Sequence, residues 1–68
     1  MRPISLAAAR VDAGMTQEEV AKALKISKNT VVSWEKGTSE PKISHIRSLC
    51  DLYNRPIDDI IFLPLKSN

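Results

Sequence analysis

The run from Thr16 to Gly37, TQEEVAKALKISKNTVVSWEKG, constrains this chain more than any other stretch. Thr16 and Glu19 stand at capping-box spacing, T-x-x-E, in which two side chains close free backbone N–H groups at a helix start. Val20, Ala21 and Leu24 then fall on one face, with Glu18, Glu19 and Lys22 on the other. Lys25 and Ile26 make a turn, Ser27 offers a second cap, and Gly37 suits the left-handed end of a helix. The spacing predicts two short helices joined by a tight turn, the second over Lys28 to Lys36.

The flanking sequence supplies what this pair would pack on. Ser5 is a plausible cap for a first helix over Leu6–Ala13, stopped at Gly14, with Leu6, Ala9 and Ala13 on a buried stripe. Thr38 to Pro41 is a polar loop, and Pro41 prevents the helix from resuming. A fourth helix is predicted over Ile43–Tyr53, with Ile43, Ile46, Leu49, Cys50 and Tyr53 facing inward and Asn54 left-handed at its end. Pro56 suits the start of a fifth, short helix over Ile57–Phe62. Only Val31–Val32 reads as a strand fragment, and the helical caps outweigh it. The expectation is all-α: one compact five-helix bundle over 1–68 with a central helix-turn-helix, its core at about 5–62 and a short tail over 63–68.

Composition narrows the function classes. At 68 residues, 43% hydrophobic and 26% charged, the chain reads as one globular domain with a small core. No apolar stretch approaches the ~18 residues of a membrane span, and Arg10 and Asp12 interrupt MRPISLAAAR too early for a secretory segment. The expected setting is cytoplasmic, with no membrane partner. Cys50 is the only cysteine, so no internal disulfide forms, and with one His (His45) it cannot build a structural zinc site. There is no Cys–His pair, Gly-rich phosphate loop or strained Ser elbow, and Asp58–Asp59 fit a helix dipole. No enzyme, catalytic residue, cofactor, metal or small-molecule ligand is expected.

The net charge of +2 is mild, so any phosphate binding depends on where the charges sit. On the third helix Val31 faces inward, while Lys28, Asn29, Val32 and Ser33 share the outward face. Each suits a base edge in the major groove of double-stranded DNA. Lys donates to guanine N7 and O6, Asn pairs with adenine, Ser adapts, and an aliphatic group touches a thymine methyl. The plain alternative is a solvated helix face. An outward Val32 among polar neighbours, and no acidic residue from Lys28 to Trp34, favour the functional reading. Gln17, at a helix start, is read equally as a phosphate contact or an exposed residue. Lys36, Thr38, Ser39 and Lys42 bracket the following loop and are candidate phosphate contacts. Arg10 and Glu35 are read as a structural ion pair fixing the angle of the third helix. Trp34 and Cys50 are read as core residues, and His45 as solvent-facing.

The stretch R-x-x-x-G-M-T-Q-E-E-V-A-x-x-L-x-I-S-x-x-T-V-x-x-W-E-x-G, Arg10 to Gly37, resembles the lambda-repressor/Cro-like helix-turn-helix family of prokaryotic and phage regulators. P-x-I-x-x-I-x-x-L-C-D-L-Y (Pro41 to Tyr53) and I-D-D-I (Ile57 to Ile60) extend the match over most of the chain. The resemblance implies five helices, the third reading DNA, and dimers on two-fold symmetric operators. By matched position it implies base contacts at Lys28, Asn29, Val32 and Ser33, a phosphate contact at Gln17, and an ion pair of Arg10 with Glu35. Three residues depart from the pattern: Lys25 where the turn usually has Gly, Lys42 at the fourth cap, and Arg55 before the fifth helix.

The expected function is therefore a sequence-specific DNA-binding transcriptional regulator, a repressor acting as a homodimer and nucleoid-associated when bound. The apolar run holding Ile61, Phe62, Leu63 and Leu65 exceeds what one short helix can turn inward, and is read evenly as dimer contact or core lid. Two rivals remain: the antitoxin of a toxin–antitoxin pair, and a protein-interaction module using the face of the third helix.

Overall fold

Most of the helices begin where a side chain can close their first free N–H groups. In the computed structural model, which describes residues 2–62, the Ala8 N–H donates to Ser5 Oγ at 3.0 Å and opens α1 (Leu6–Asp12). The Glu19 N–H donates to Thr16 Oγ1 at 3.0 Å, and the Thr16 N–H donates to Glu19 Oε1 at 2.8 Å; this reciprocal box opens α2 (Gln17–Leu24). The Thr30 N–H donates to Ser27 Oγ at 3.2 Å and opens α3 (Lys28–Lys36). Lys42 has no such oxygen, and α4 (Ile43–Tyr53) starts without a side-chain cap.

The helix ends turn left-handed at Lys25 (φ 60°), Gly37 (φ 82°) and Asn54 (φ 55°). Gly37 adopts this conformation freely, whereas Lys25 holds it at a cost of about 1 kcal/mol because its Cβ crowds the following carbonyl. The Ile26 N–H donates to the Ala21 carbonyl at 2.9 Å and closes the turn between α2 and α3.

The fifth helix does not form. Ile57–Asp59 make a single 3₁₀ turn, and Ile60–Ile61 extend as β2 alongside β1 (Ile4–Ser5). The two strands are parallel, with Ile4 opposite Ile60 and Ser5 opposite Ile61. The described residues thus form a four-helix fold with a small two-stranded sheet, not a five-helix bundle. β-branched Ile60 and Ile61 are stiff at χ1 and suit extended backbone. The ladder also satisfies backbone groups that one helical turn would leave open. Val31 and Val32, the fragment with strand character, are helical within α3.

The core draws Leu6 and Ala9 from α1, Val20 and Ala21 from α2, Val31 and Trp34 from α3, Leu49 and Tyr53 from α4, and Ile60 from β2. Two assignments fail on α4, one inward and one outward. Ile43 is 73% exposed, on the side of the first turn away from Trp34 and His45. His45, expected in solvent, instead packs its ring against Trp34 at 5.1 Å between centroids, and its buried Nδ1 has no hydrogen-bond partner among the described residues.

The Tyr53 hydroxyl is also buried without a partner among the described residues. Burial pushes its pKa up to about 12; the Glu35 carboxylate adds to the rise and Arg10 opposes it. An unfolded tyrosine ionises near pH 10. Between about pH 10 and 12 the folded state therefore binds more protons than the unfolded one, and stability falls as pH rises through that window. Tyr53→Phe is expected to lose this alkaline sensitivity and to melt no lower than wild type at pH 7, since it removes an unsatisfied polar group. Thermal melts at pH 7 and 11 check both outcomes; a large loss at pH 7 would contradict them.

Candidate nucleic-acid interface

α2 and α3 pack on each other more extensively than any other two elements. Their relative angle is held by one carboxylate. Arg10 Nε donates to Glu35 Oε2 at 2.7 Å, Arg10 Nη2 reaches Oε1 at 3.3 Å, and Arg10 Nη1 donates to the Met15 carbonyl at 2.9 Å. Gln17 Nε2 donates to Glu35 Oε1 at 3.0 Å. Glu35 therefore ties α1, α2 and α3 together. The pair is largely out of water, with side-chain exposures of 16% for Arg10 and 7% for Glu35. Its hydrogen bond holds the Arg10 guanidinium more firmly protonated than usual, against the opposing cost of burial.

With Glu35 turned inward, the outward side of α3 carries no carboxylate of its own. Lys28 and Asn29 are exposed, Val32 and Ser33 are half-buried, and Val31 and Trp34 are buried beneath them. All four candidate base contacts thus lie on one side of one helix. One amide hydrogen of Gln17 is taken by Glu35, and the other is left to a further acceptor. Lys36, Ser39 and Lys42 are exposed around the C-terminal end of α3. Thr38 is exposed too, but its hydroxyl donates to the Ser33 carbonyl at 3.3 Å, so that proton is already engaged.

Two ion pairs that join distant elements have no periodic signal in the sequence. Lys28 Nζ lies 3.1 Å from Glu18 Oε2, joining the first turns of α2 and α3. Arg55 joins Asp12 at 2.7 Å and Asp59 at 3.5 Å, fastening the turn after α4 to the end of α1. This gives Arg55 a structural use.

The candidate dimer patch is only partly visible. Ile61 pairs within the sheet, and Phe62 packs against the core; both are half-buried, while Leu63 and Leu65 lie outside the described residues. Among the described residues the large apolar side chains that face solvent are elsewhere: Val11 (64%), Ile43 (73%) and Ile57 (55%). Burial pushes the Cys50 thiol up from its ordinary pKa, in keeping with its packing against the core. Among the described residues no group of three or more His, Cys, Asp and Glu is placed to hold a metal ion, and no helix is long and apolar enough to cross a membrane.

Comparison with known proteins places this geometry in context. A helix-turn-helix family model matches residues 6–60. The cryptic phage CTXphi transcriptional repressor RstR of Vibrio cholerae is 38% identical over 52 residues, which are 76% of this chain and 47% of that protein. An uncharacterized HTH-type transcriptional regulator of Archaeoglobus fulgidus is 35% identical over 51 residues, 75% of this chain and 73% of that protein. The chain thus spans about half the length of the first relative and about three quarters of the second.

Proposed function

The chain belongs to the lambda-repressor/Cro-like helix-turn-helix family, and from that premise we propose that it is a sequence-specific DNA-binding transcriptional regulator, a repressor occupying a two-fold symmetric operator as a homodimer. The observation that carries this reading is the outward side of α3, which has exposed Lys28 and Asn29 and no carboxylate of its own. α3 enters the major groove. Lys28, Asn29, Val32 and Ser33 meet base edges, while Gln17, Lys36, Ser39 and Lys42 meet phosphates on either side. Thr38, its proton engaged, serves the loop geometry first and a phosphate only by exchanging that bond. The Vibrio cholerae relative, named as a transcriptional repressor, supports repression as the outcome.

Salt-titrated binding to random duplex DNA tests the reading. Affinity is expected to fall steeply and linearly on logarithmic axes, and Lys36→Ala to flatten the slope by roughly one unit at unchanged sequence preference. No measurable affinity at low salt would contradict DNA binding and favour the protein-interaction alternative.

Homodimerisation places two copies of α3 about 34 Å apart, one DNA turn. Exposed Ile43 and Ile57 border one cleft with Ile46 and Cys50, flanked by Arg47 and Asp51, and its apolar side chains support self-association. Sedimentation of Ile43→Asp and Leu65→Asp variants assigns the contact: the substitution that converts folded dimer to monomer marks it. A wild type that stays monomeric both free and on DNA would contradict the pairing.

A further inference from the structure

The ion pair between Glu18 and Lys28 has no evident use in the fold. Its side chains are 65% and 50% exposed, and an exposed pair of this kind contributes only ~0–1 kcal/mol to stability. It sits, however, where α2 and α3 both begin, on the side from which the outward residues of α3 project. Resting on the reading of α3 as the base-reading helix, we propose that Glu18 and Lys28 form a donor–acceptor doublet that reads one G·C pair in each half-site, with Lys28 on guanine and Glu18 on cytosine.

The chemistry of the groove limits what a carboxylate can do there. Ionised Glu18 only accepts hydrogen bonds, and the phosphates beside it repel it. The donors that the major groove presents are the exocyclic amines, cytosine N4–H₂ and adenine N6–H₂. Glu18 therefore finds favourable contact only on one of these two edges. The hydrogen bond from Lys28 holds the Glu18 carboxyl below its ordinary range, with help from the helix backbone.

Spacing and valence select the G·C pair. Guanine O6 and cytosine N4 are joined by a Watson–Crick hydrogen bond and so lie about 2.9 Å apart, the usual N–H···O separation. Lys28 Nζ and Glu18 Oε2 lie 3.1 Å apart, a donor beside an acceptor at nearly the same separation. The Lys28 ammonium has three N–H donors: one goes to Glu18, and two remain for the adjacent guanine acceptors N7 and O6. On an A·T pair, with Glu18 on adenine N6, the lysine meets a single acceptor on either side, N7 or O4, never two together. The doublet is satisfied more fully by G·C.

The carboxylate also sharpens discrimination. Where the base pair puts no amine within its reach, the carboxylate faces the phosphates with only Lys28 beside it, so Glu18 weakens binding to the wrong sequence more than to the right one.

Selection of bound sequences from a random duplex pool tests the proposal, with wild type, Glu18→Ala and Lys28→Met compared. Wild type is expected to enrich G·C at one position of each half-site by about tenfold or more over A·T. In Glu18→Ala that preference drops severalfold, preferences at the other positions persist, and affinity for random duplex rises. Lys28→Met loses the same preference without the rise. Both variants are expected to melt as wild type does, because the pair is exposed. A wild type that enriches sites while Glu18→Ala enriches the same sites equally overturns the doublet alone, as does an A·T preference that depends on Glu18. A wild type that enriches nothing overturns the reading of α3, and the doublet with it.

Discussion

Arg10→Met is expected to lower the unfolding free energy by about 3 kcal/mol, a fall in Tm of roughly 15 °C for a domain of this size. The loss does not come from the ion pair's net strength, which desolvation largely offsets. It comes from what the substitution leaves behind. Glu35, at 7% exposure, would keep only its bond from Gln17, and the Met15 carbonyl would lose its guanidinium donor. The double variant Arg10→Met/Glu35→Leu is expected to lose clearly less than the single one, because no charge is then stranded. Urea unfolding of wild type, both single variants and the double variant measures this coupling. A single-variant loss under about 1 kcal/mol would show that the carboxylate is better hydrated than its burial implies.

Trp34→Ala carries the other large effect, a loss of about 4 kcal/mol. Trp34 is the largest side chain that α3 turns inward; it is 3% exposed and packs on the His45 ring. Removing it opens a cavity in a small core and frees α3 from the start of α4. A domain of this kind holds only ~5–15 kcal/mol in total, so the variant would stand near its unfolding threshold at 37 °C. Trp34→Phe retains most of the apolar volume and is expected to lose well under half as much. Thermal melts of the two variants separate these outcomes, and equal, small losses would contradict the packing role. Because Trp34 underlies the outward residues, DNA affinity is expected to fall with stability in Trp34→Ala, but sequence preference is not.

Both effects arise from contacts between elements far apart in the chain, and that distinction marks what could be read without coordinates. The ends of α2 and α3 follow from Thr16, Glu19, Ser27 and Gly37, whose capping acts within a few residues. The segment Ile57–Phe62 shows the opposite. Pro56 and two following carboxylates resemble a helix start, yet Ile60 and Ile61 pair with Ile4 and Ser5 from the other end of the chain. Nothing local announces such a partner. Ile43 lies in solvent for a related reason: a stripe of apolar residues shows which side of α4 can be buried, not how far its neighbours reach.

The candidate interface divides in the same way. That Lys28 and Asn29 project outward from α3 follows from helical periodicity once Val31 faces inward. The partners that fix or occupy those residues do not follow from it. Glu18 meets Lys28 across a turn, Gln17 meets Glu35 from another helix, and the Thr38 hydroxyl folds back on the Ser33 carbonyl. The first two of these links depend on the angle between α2 and α3, which packing sets and local sequence does not encode.

The account depends above all on a duplex being received on the outward side of α3. Titrating ¹⁵N-labelled protein with a duplex and following its amide resonances tests this most directly. The largest shifts are expected at Lys28, Asn29 and Ser33, with a second group at Gln17 and around Lys36 to Ser39. Shifts confined to the face of Ile43 and Ile57, with the α3 amides unmoved by saturating DNA, would contradict it.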